Sequence, residues 1–323
     1  MKTPRDLKVA ILLATFNGAQ FVEQQIRSLT RNVTPFTLHW LDDHSTDDTR
    51  QIVRAAARGL TLREWHQSER QFLPGAFFQL LECVEADIYL FCDQDDIWQP
   101  GKIDAAVANL LPDLASPVLC FSDSLMFYDD EPDIVRPLSE VFHSKPPKAL
   151  QESRLFMTVA APGHTQCFTR PLRALYLGHK SIARAYARNH DAWMYLIANA
   201  AGTARMLSNV PTALYRQHEN NVTATLRGRN GKRLDRSTLT LKQQQALRRR
   251  TARHAQGFVI AAPTLIPGDK LERLVTLARR IATLDRRQSV AALVSLARSG
   301  ALWPNKRWAV GFAAACLWSD ASS

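Results

Sequence analysis

Apolar runs of strand length recur through the first hundred residues, and each stops at a polar cluster. Val9-Ala-Ile-Leu-Leu-Ala14 ends at Thr15-Phe-Asn-Gly18, Thr37-Leu-His-Trp-Leu41 at Asp42-Asp-His-Ser45, and Ile88-Tyr-Leu-Phe91 at Cys92-Asp-Gln-Asp-Asp-Ile-Trp98. Runs with no polar alternation suit strands covered on both faces, as parallel sheets require. Between them lie residues at helical spacing: Val22, Ile26 and Leu29, then Ile52, Val53 and Ala56, with a further helix over 74–84 and a third strand at 60–65. Strands alternating with helices predict an α/β fold, a mostly parallel sheet with helices on both faces.

Parallel strands align their C-terminal ends, so the three polar clusters converge on one crevice, the place where open α/β sheets bind ligands. Its most acidic part places Asp93, Asp95 and Asp96 in four positions. Residues i and i+2 of a strand tip point to one side, so Asp93 and Asp95 are expected to share a divalent cation while Asp96 faces elsewhere or caps the next helix. An acidic turn with a helix cap would look the same in isolation. The chain has neither a GxGxxG nor a GxxxxGK[ST] loop, so a phosphate-bearing ligand here would be held through a metal.

Farther on the alternation blurs. Residues 117–127 read as one strand interrupted by Ser122, Asp123 and Ser124, and residues 129–151, rich in Pro and charge, read as a flexible loop over an open cleft. His190-Asp-Ala-Trp193 opens a helix with Asp191 in its first turn. Five scattered cysteines without CxxC spacing indicate neither a zinc site nor a disulfide framework. No leader precedes the first strand, and a cytoplasmic protein is expected.

Ala14-Thr-Phe-Asn-Gly18, Asp42-Asp-His-Ser-Thr-Asp-Asp-Thr49 and Asp93-Gln-Asp-Asp-Ile-Trp-Gln-Pro-Gly-Lys102, in this order and spacing, resemble family 2 glycosyltransferases of the GT-A fold, with the bacterial rhamnosyltransferase-like branch the nearest likeness. The likeness covers roughly residues 8–225. It implies that Asp42 accepts the N3–H of uracil or thymine, that Thr15 and Asn17 line the base and ribose, and that Asp93 and Asp95 are the DxD pair holding Mg2+ or Mn2+ and the diphosphate of a dTDP- or UDP-sugar. Asp96 and Trp98 would shape the sugar pocket, although for Trp98 packing is the preferred reading, and Asp43 reads as either a donor contact or a turn residue. Asp191 takes the place of the general base. In Tyr215-Arg-Gln-His218, Arg216 would neutralise the diphosphate and His218 would ligate the metal or bond the diphosphate. Gly163-His-Thr-Gln166 resembles the stretch lining the acceptor site. The activity implied is inverting, metal-dependent sugar transfer, possible donors including dTDP-L-rhamnose, to a hydroxyl of a lipid-linked or cell-surface glycan.

The net charge of +11 is unevenly placed: residues 231–323 hold 17 of the 41 Lys and Arg but 5 of the 30 Asp and Glu, a local +12. This divides a nearly neutral catalytic domain, 1–226, from a basic helical region, 227–323, that should seek an anionic partner. Leu271, Leu274, Val275, Ala278 and Ile281 follow amphipathic spacing, and the 11 apolar residues of 308–318 are too short to span a bilayer. Attachment to an anionic membrane surface or packing on protein, including a second copy, both fit. Two other classes compete: a sugar-phosphate nucleotidyltransferase, which needs a Gly-rich basic phosphate loop absent here, and a nucleic-acid binder, which would interleave aromatics among Arg248, Arg249 and Arg250.

Overall fold

The computed structural model describes residues 6–129, 131–141, 154–157, 161–207, 210–218, 221, 241–265 and 269–283. In chain order the elements are β1 (Val9–Thr15), α1 (Val22–Leu29), β2 (Thr37–Asp42), α2 (Thr49–Ala56), β3 (Thr61–Trp65), α3 (Phe72–Cys83), β4 (Ile88–Cys92), β5 (Ile97–Trp98), α4 (Lys102–Leu110), β6 (Val118–Phe121), β7 (Leu125–Tyr128), β8 (Glu131–Pro137) and α5 (Leu138–Val141). Then follow α6 (Arg154–Met157), β9 (Cys167–Thr169), α7 (Arg170–Gly178), α8 (Lys180–Tyr186), α9 (His190–Ala201), β10 (Thr203–Met206), β11 (Ala213–Gln217), α10 (Leu241–Ala261) and α11 (Asp269–Ala282).

The chain divides into two compact units. The first comprises Met1–Pro146, Ala161–Arg184 and Asn189–Arg216; the second comprises Pro147–Ala160, Ala185–Arg188 and Gln217–Ser323. The charge-based division after 226 therefore falls ten residues beyond the structural one after Arg216, and two short earlier segments join the second unit.

Within the first unit, seven strands run in the order β10-β6-β9-β4-β1-β2-β3. β1 is central: it pairs in parallel with β2 and β4, and all seven of its residues are buried, as the unbroken apolar run anticipates. Val9, Ile11 and Leu13 pack with Val22, Ile26 and Leu29 of α1 and with Ile103, Val107 and Leu110 of α4 in one core. Burying a side chain of this size contributes about 1.5–3 kcal/mol, so this layer is the main force holding the strand tips in register.

Three features escaped the sequence pattern. β9 lies antiparallel between β4 and β6, so the sheet is mostly but not wholly parallel. The interrupted strand at 117–127 is two strands in different sheets: Ser122, Asp123 and Ser124 form the crossing, and β7 joins the four-stranded sheet β5-β11-β7-β8. Asp123 fixes that crossing by accepting the N–H groups of Ser124 (2.8 Å) and Ser139 (3.2 Å). The expected loop at 129–151 begins instead as β8, paired antiparallel with β7; residues 142–151 lie outside the described set.

In the second unit, the apolar stripe of α11 is not available to a bilayer. Leu271, Leu274, Ala278 and Ile281 are buried, as are Ala252, Ala255, Phe258 and Ala261 of α10, and the two helices pack on each other. The expectations for residues 284–323, including the 308–318 stretch, lie outside the described residues.

Candidate active site

The tips of β1, β2 and β4 meet as the register requires, Thr15 pairing with Asp42 and Leu13 with Cys92. Beyond β4 the chain leaves the extended conformation, turning at Gln94 and Asp95 before re-entering a strand at Ile97. Strand alternation consequently lapses at Asp93. Asp96, expected to face away, comes back beside it: ligand atoms of Asp93, Asp96 and His164 all lie within 4.8 Å of one another. His164 Nδ1 is 3.5 Å from Asp96 Oδ2 and 3.9 Å from Asp93 Oδ2.

This cluster is short of hydrogen bonds. Asp96 is fully buried and receives the Arg216 backbone N–H at Oδ1 (3.2 Å), yet among the described residues Asp96 Oδ2 and His164 Nε2 are buried with no hydrogen-bond partner. Burial, then the charges of Asp95 and Asp191, pushes the Asp93 carboxyl up to about 8; burial, Asp95 and Asp93 hold Asp96 well above the ordinary carboxylate range. His164 is driven well below its usual value by burial and by the Lys102 charge. Burial of like charges without donors is costly, and a divalent cation relieves that cost. Two carboxylates and a neutral imidazole form a donor set that suits Mn2+ or Mg2+, the imidazole favouring Mn2+.

Asp191, the second residue of α9, sits on the edge of this cluster, near enough for its charge to raise Asp93. It is buried, and Oδ2 accepts the Gly163 N–H at 3.1 Å. The glycine is needed there, because a Cβ at 163 would lie 2.8 Å from His190 Nε2. Gln166 anchors the same corner, donating through Nε2 to the Asp191 carbonyl (3.0 Å) and the Ala161 carbonyl (2.7 Å). Beneath them the His190 ring stacks on Phe77 at 4.0 Å.

Asp42 and Asp43 present the opposite condition. Asp42 accepts from Thr15 Oγ1 (2.9 Å), from the N–H and hydroxyl of Ser45, and from Arg50 Nε (2.6 Å). Burial opposes its charge, but the bonds from Ser45, Arg50 and Thr15 outweigh it and keep the pKa low. Thr15 is itself held by Trp40 Nε1 at 2.9 Å. Asp43 is buried and accepts the N–H groups of Gln71 (2.7 Å) and Phe72 (2.8 Å) and the Gln67 amide, which makes it the anchor of the 67–72 loop. Asn17, at φ 47°, accepts the Thr46 N–H (2.8 Å) and ties the β1 and β2 loops together.

Arg216 is in the first unit and buried. Its guanidinium bonds the Asp95 carbonyl (2.9 Å), Asp129 and Gln24, and lies over the rings of Phe21 and Phe127, so it braces the acidic turn. Trp98 is fully buried, with Lys102 Nζ 4.1 Å from its ring centroid. His218 follows β11 as one of the first residues of the second unit, its N–H bonded to Asn221 Oδ1.

Three residues of this site were given no role by the sequence. His164 stood inside the quoted Gly163–Gln166 run. Lys102, buried at the start of α4, bonds the His164 carbonyl and is brought down to about 8 by burial. Gln94 accepts the Phe16 N–H (2.9 Å) and donates to the Phe16 carbonyl (3.1 Å), clamping the β1 loop to the acidic turn. Gly18 leaves room for it: a Cβ there would fall 2.4 Å from Gln94 Oε1.

Residues 10–169 match the sequence model described as glycosyl transferase family 2. The dTDP-rhamnosyl transferase RfbG of Shigella flexneri is 26% identical over 226 residues, covering 65% of this chain and 72% of that protein. Among solved structures, S. aureus TarS 1-349 in complex with UDP matches with a TM-score of 0.58 at 14% identity, over 98% of this chain and 92% of the other. The mannosyltransferase PcManGT from Pyrobaculum calidifontis, in complex with GDP-Man and Mn2+, matches at 0.56 and 17% identity, over 98% and 87%. At such identities the two structures bear on the fold, a GT-A arrangement.

Proposed function

Through residues 10–169 the chain belongs to glycosyl transferase family 2 and is a nucleotide-sugar glycosyltransferase; from that premise we propose that it transfers a sugar from a dTDP- or UDP-sugar to a glycan hydroxyl with inversion at the anomeric carbon, Asp191 acting as general base. The observation that carries this reading is the pairing of a hydrogen-bond-poor Asp93–Asp96–His164 cluster with a buried Asp191 carboxylate beside it. One group is suited to a cation and diphosphate, the other to a proton.

Asp93, Asp96 and His164 would hold Mg2+ or Mn2+, with Asp95 adding negative charge to the same turn. When bound, the cation would neutralise the diphosphate that leaves. Asp191 receives the proton of the acceptor hydroxyl as that oxygen attacks the anomeric carbon and the carbon–diphosphate bond breaks, a contribution of about 10²–10⁴ in rate. Lys102 and Arg216 fix the loops that carry these groups, through the His164 and Asp95 carbonyls. The Asp42 carboxylate, at the end of β2, would read N3–H of uracil or thymine; its four internal donors keep it charged, and Arg50, half-exposed, is the one free to swing aside.

L-Rhamnose is the sugar we assign, on the likeness to the Shigella flexneri dTDP-rhamnosyl transferase, and the acceptor is a lipid-linked or cell-surface glycan of bacterial polysaccharide synthesis. The test is donor turnover: purified protein with dTDP-rhamnose or a UDP-sugar, Mn2+ and a glycan acceptor, followed by nucleotide release and by the anomeric configuration of the product. Metal-dependent release with inversion, lost in Asp191→Asn, is expected. Retention of configuration, or full activity in that variant, would overturn the assignment.

A further inference from the structure

The proposed chemistry uses the first unit, and it leaves the arginines of the second without a task. On α10 the exposed residues Arg249, Arg253, Gln256 and Ile260 recur at i, i+4, i+7 and i+11, with Arg250 alongside. That is one stripe of helix surface. On α11, among the side chains described, Arg273, Arg279 and Arg280 are exposed together with Glu272. The opposite faces are consumed by the packing of the two helices on each other. In sequence the two helices carry nine Lys and Arg against two carboxylates, Asp269 and Glu272, far from the mixed-sign surface that solubility alone requires.

The chemistry of the surface narrows what covers it. Among the described side chains of the two helices the exposed apolar residue of size is Ile260 alone, which is no face for insertion, and none of the described helices is long and apolar enough to cross a membrane. Single-stranded nucleic acid calls for aromatic platforms between the cations, but the single Phe, Tyr or Trp of these two helices, Phe258, is fully buried. The one ring recorded against these arginines, Tyr186 under Arg253 at 5.8 Å, is a single contact and not a series of platforms, so the described surface is cationic and matched to a plane of phosphates. We propose that α10 and α11 form an electrostatic docking surface for the anionic phospholipid headgroups of a bilayer, with guanidinium–phosphate pairs rather than buried side chains supplying the attraction.

The test is co-sedimentation of the full chain with vesicles of phosphatidylcholine alone and of phosphatidylcholine mixed with phosphatidylglycerol, at low and high salt. Binding only to the mixed vesicles, and its loss at high salt, is the expected result. The triple variant Arg249→Gln, Arg250→Gln, Arg253→Gln should weaken it on the order of a hundredfold. A matched neutralisation of exposed arginines in the first unit, Arg27, Arg58 and Arg63, should leave it nearly unchanged. Should the triple variant fail to fold by circular dichroism, Arg279→Gln with Arg280→Gln gives the same reading at about tenfold or more. Equal binding by wild type and the α10 or α11 variant, equal binding to neutral vesicles, an equal loss in the first-unit control, or binding to RNA without binding to vesicles would each overturn the proposal. None of these residues is in the proposed catalytic site, so failure here leaves the glycosyltransferase reading to its own test.

Discussion

Two strand tips of the same sheet carry aspartate pairs, and they are in opposite electrostatic conditions. At the end of β2, Asp42 and Asp43 are surrounded by donors: hydroxyls, backbone N–H groups, an amide and a guanidinium. At the end of β4, Asp93 and Asp96 are pushed up in pKa, and an Asp96 oxygen and a His164 nitrogen are buried without a hydrogen bond. The first pair has its donors within the protein, which makes Asp43 an anchor and keeps Asp42 charged for the base contact proposed above; the second has buried atoms that a cation would satisfy. Acidity in the sequence is the same in both places. The supply of donors follows from what the rest of the chain folds against each tip, and it is why the cation is proposed at β4 and not at β2.

The comparison breaks most visibly in catalysis. Asp96→Asn, which removes a charge but keeps the shape, should reduce sugar transfer by more than Asp191→Asn, itself expected to cost about 10²–10⁴ in kcat with nucleotide affinity retained. Steady-state kinetics and nucleotide titration on both variants measure the difference; unaltered kcat in Asp96→Asn would erase the distinction between the two tips. Asp43→Ala tests the other side. It strands two backbone N–H groups and an amide, so the melting temperature should fall with a loss of about 2–3 kcal/mol, while metal affinity of the folded protein stays within a fewfold of wild type.

A smaller effect sharpens the contrast by pH. Because burial and the charges of Asp95 and Asp191 push the Asp93 carboxyl up, to about 8, protons should compete with the cation at lower pH. Apparent Mn2+ affinity should therefore weaken as pH falls from about 8, by roughly tenfold per unit for one competing proton, while Asp42, whose pKa is lowered, keeps its charge throughout. Calorimetric titration of Mn2+ across this range decides it, and a flat profile would mean that the β4 cluster is not the ligand set. Fold stability carries its own pH signature. Burial lowers His190 to about 4 against an ordinary 6.5, so the unfolded chain binds the proton first and stability is lost as pH drops from about 6.5 toward 4. About 3 kcal/mol is at stake, and in denaturant melts the wild type should lose that much relative to His190→Phe as the pH falls through this range.

Much of the fold was legible because the central strands are buried on both faces: β1 and β4 announce themselves as unbroken apolar runs, and their ends locate the crevice. β9 was not legible. It is three residues long, and its antiparallel insertion depends on partners some 50 and 80 residues away. The break at Ser122-Asp-Ser124 was visible, but its meaning, a crossing between sheets, was not, since that depends on Asp123 meeting Ser139. In the site, the positions of Asp93 and Asp191 could be anticipated from the strand end and the helix start. Asp96 could not, because alternation predicts nothing once the chain turns at Gln94. His164 and Lys102 join through a contact 62 residues apart in sequence. The amphipathic pattern of α11 was correctly spaced, yet spacing alone does not say whether lipid or another helix covers the stripe; here α10 does.

The most direct test of the central claim is thermal-shift titration with dTDP and with UDP, each in Mn2+ and in EDTA, on wild type and Asp96→Asn. A ligand that binds the native state alone raises the melting temperature by mass action. Wild type should be stabilised by one nucleotide in Mn2+ and little in EDTA, and Asp96→Asn should lose the metal-dependent part. Equal stabilisation in EDTA, or a variant that responds like wild type, would contradict the claim: the nucleotide would then be held without the β4 cluster.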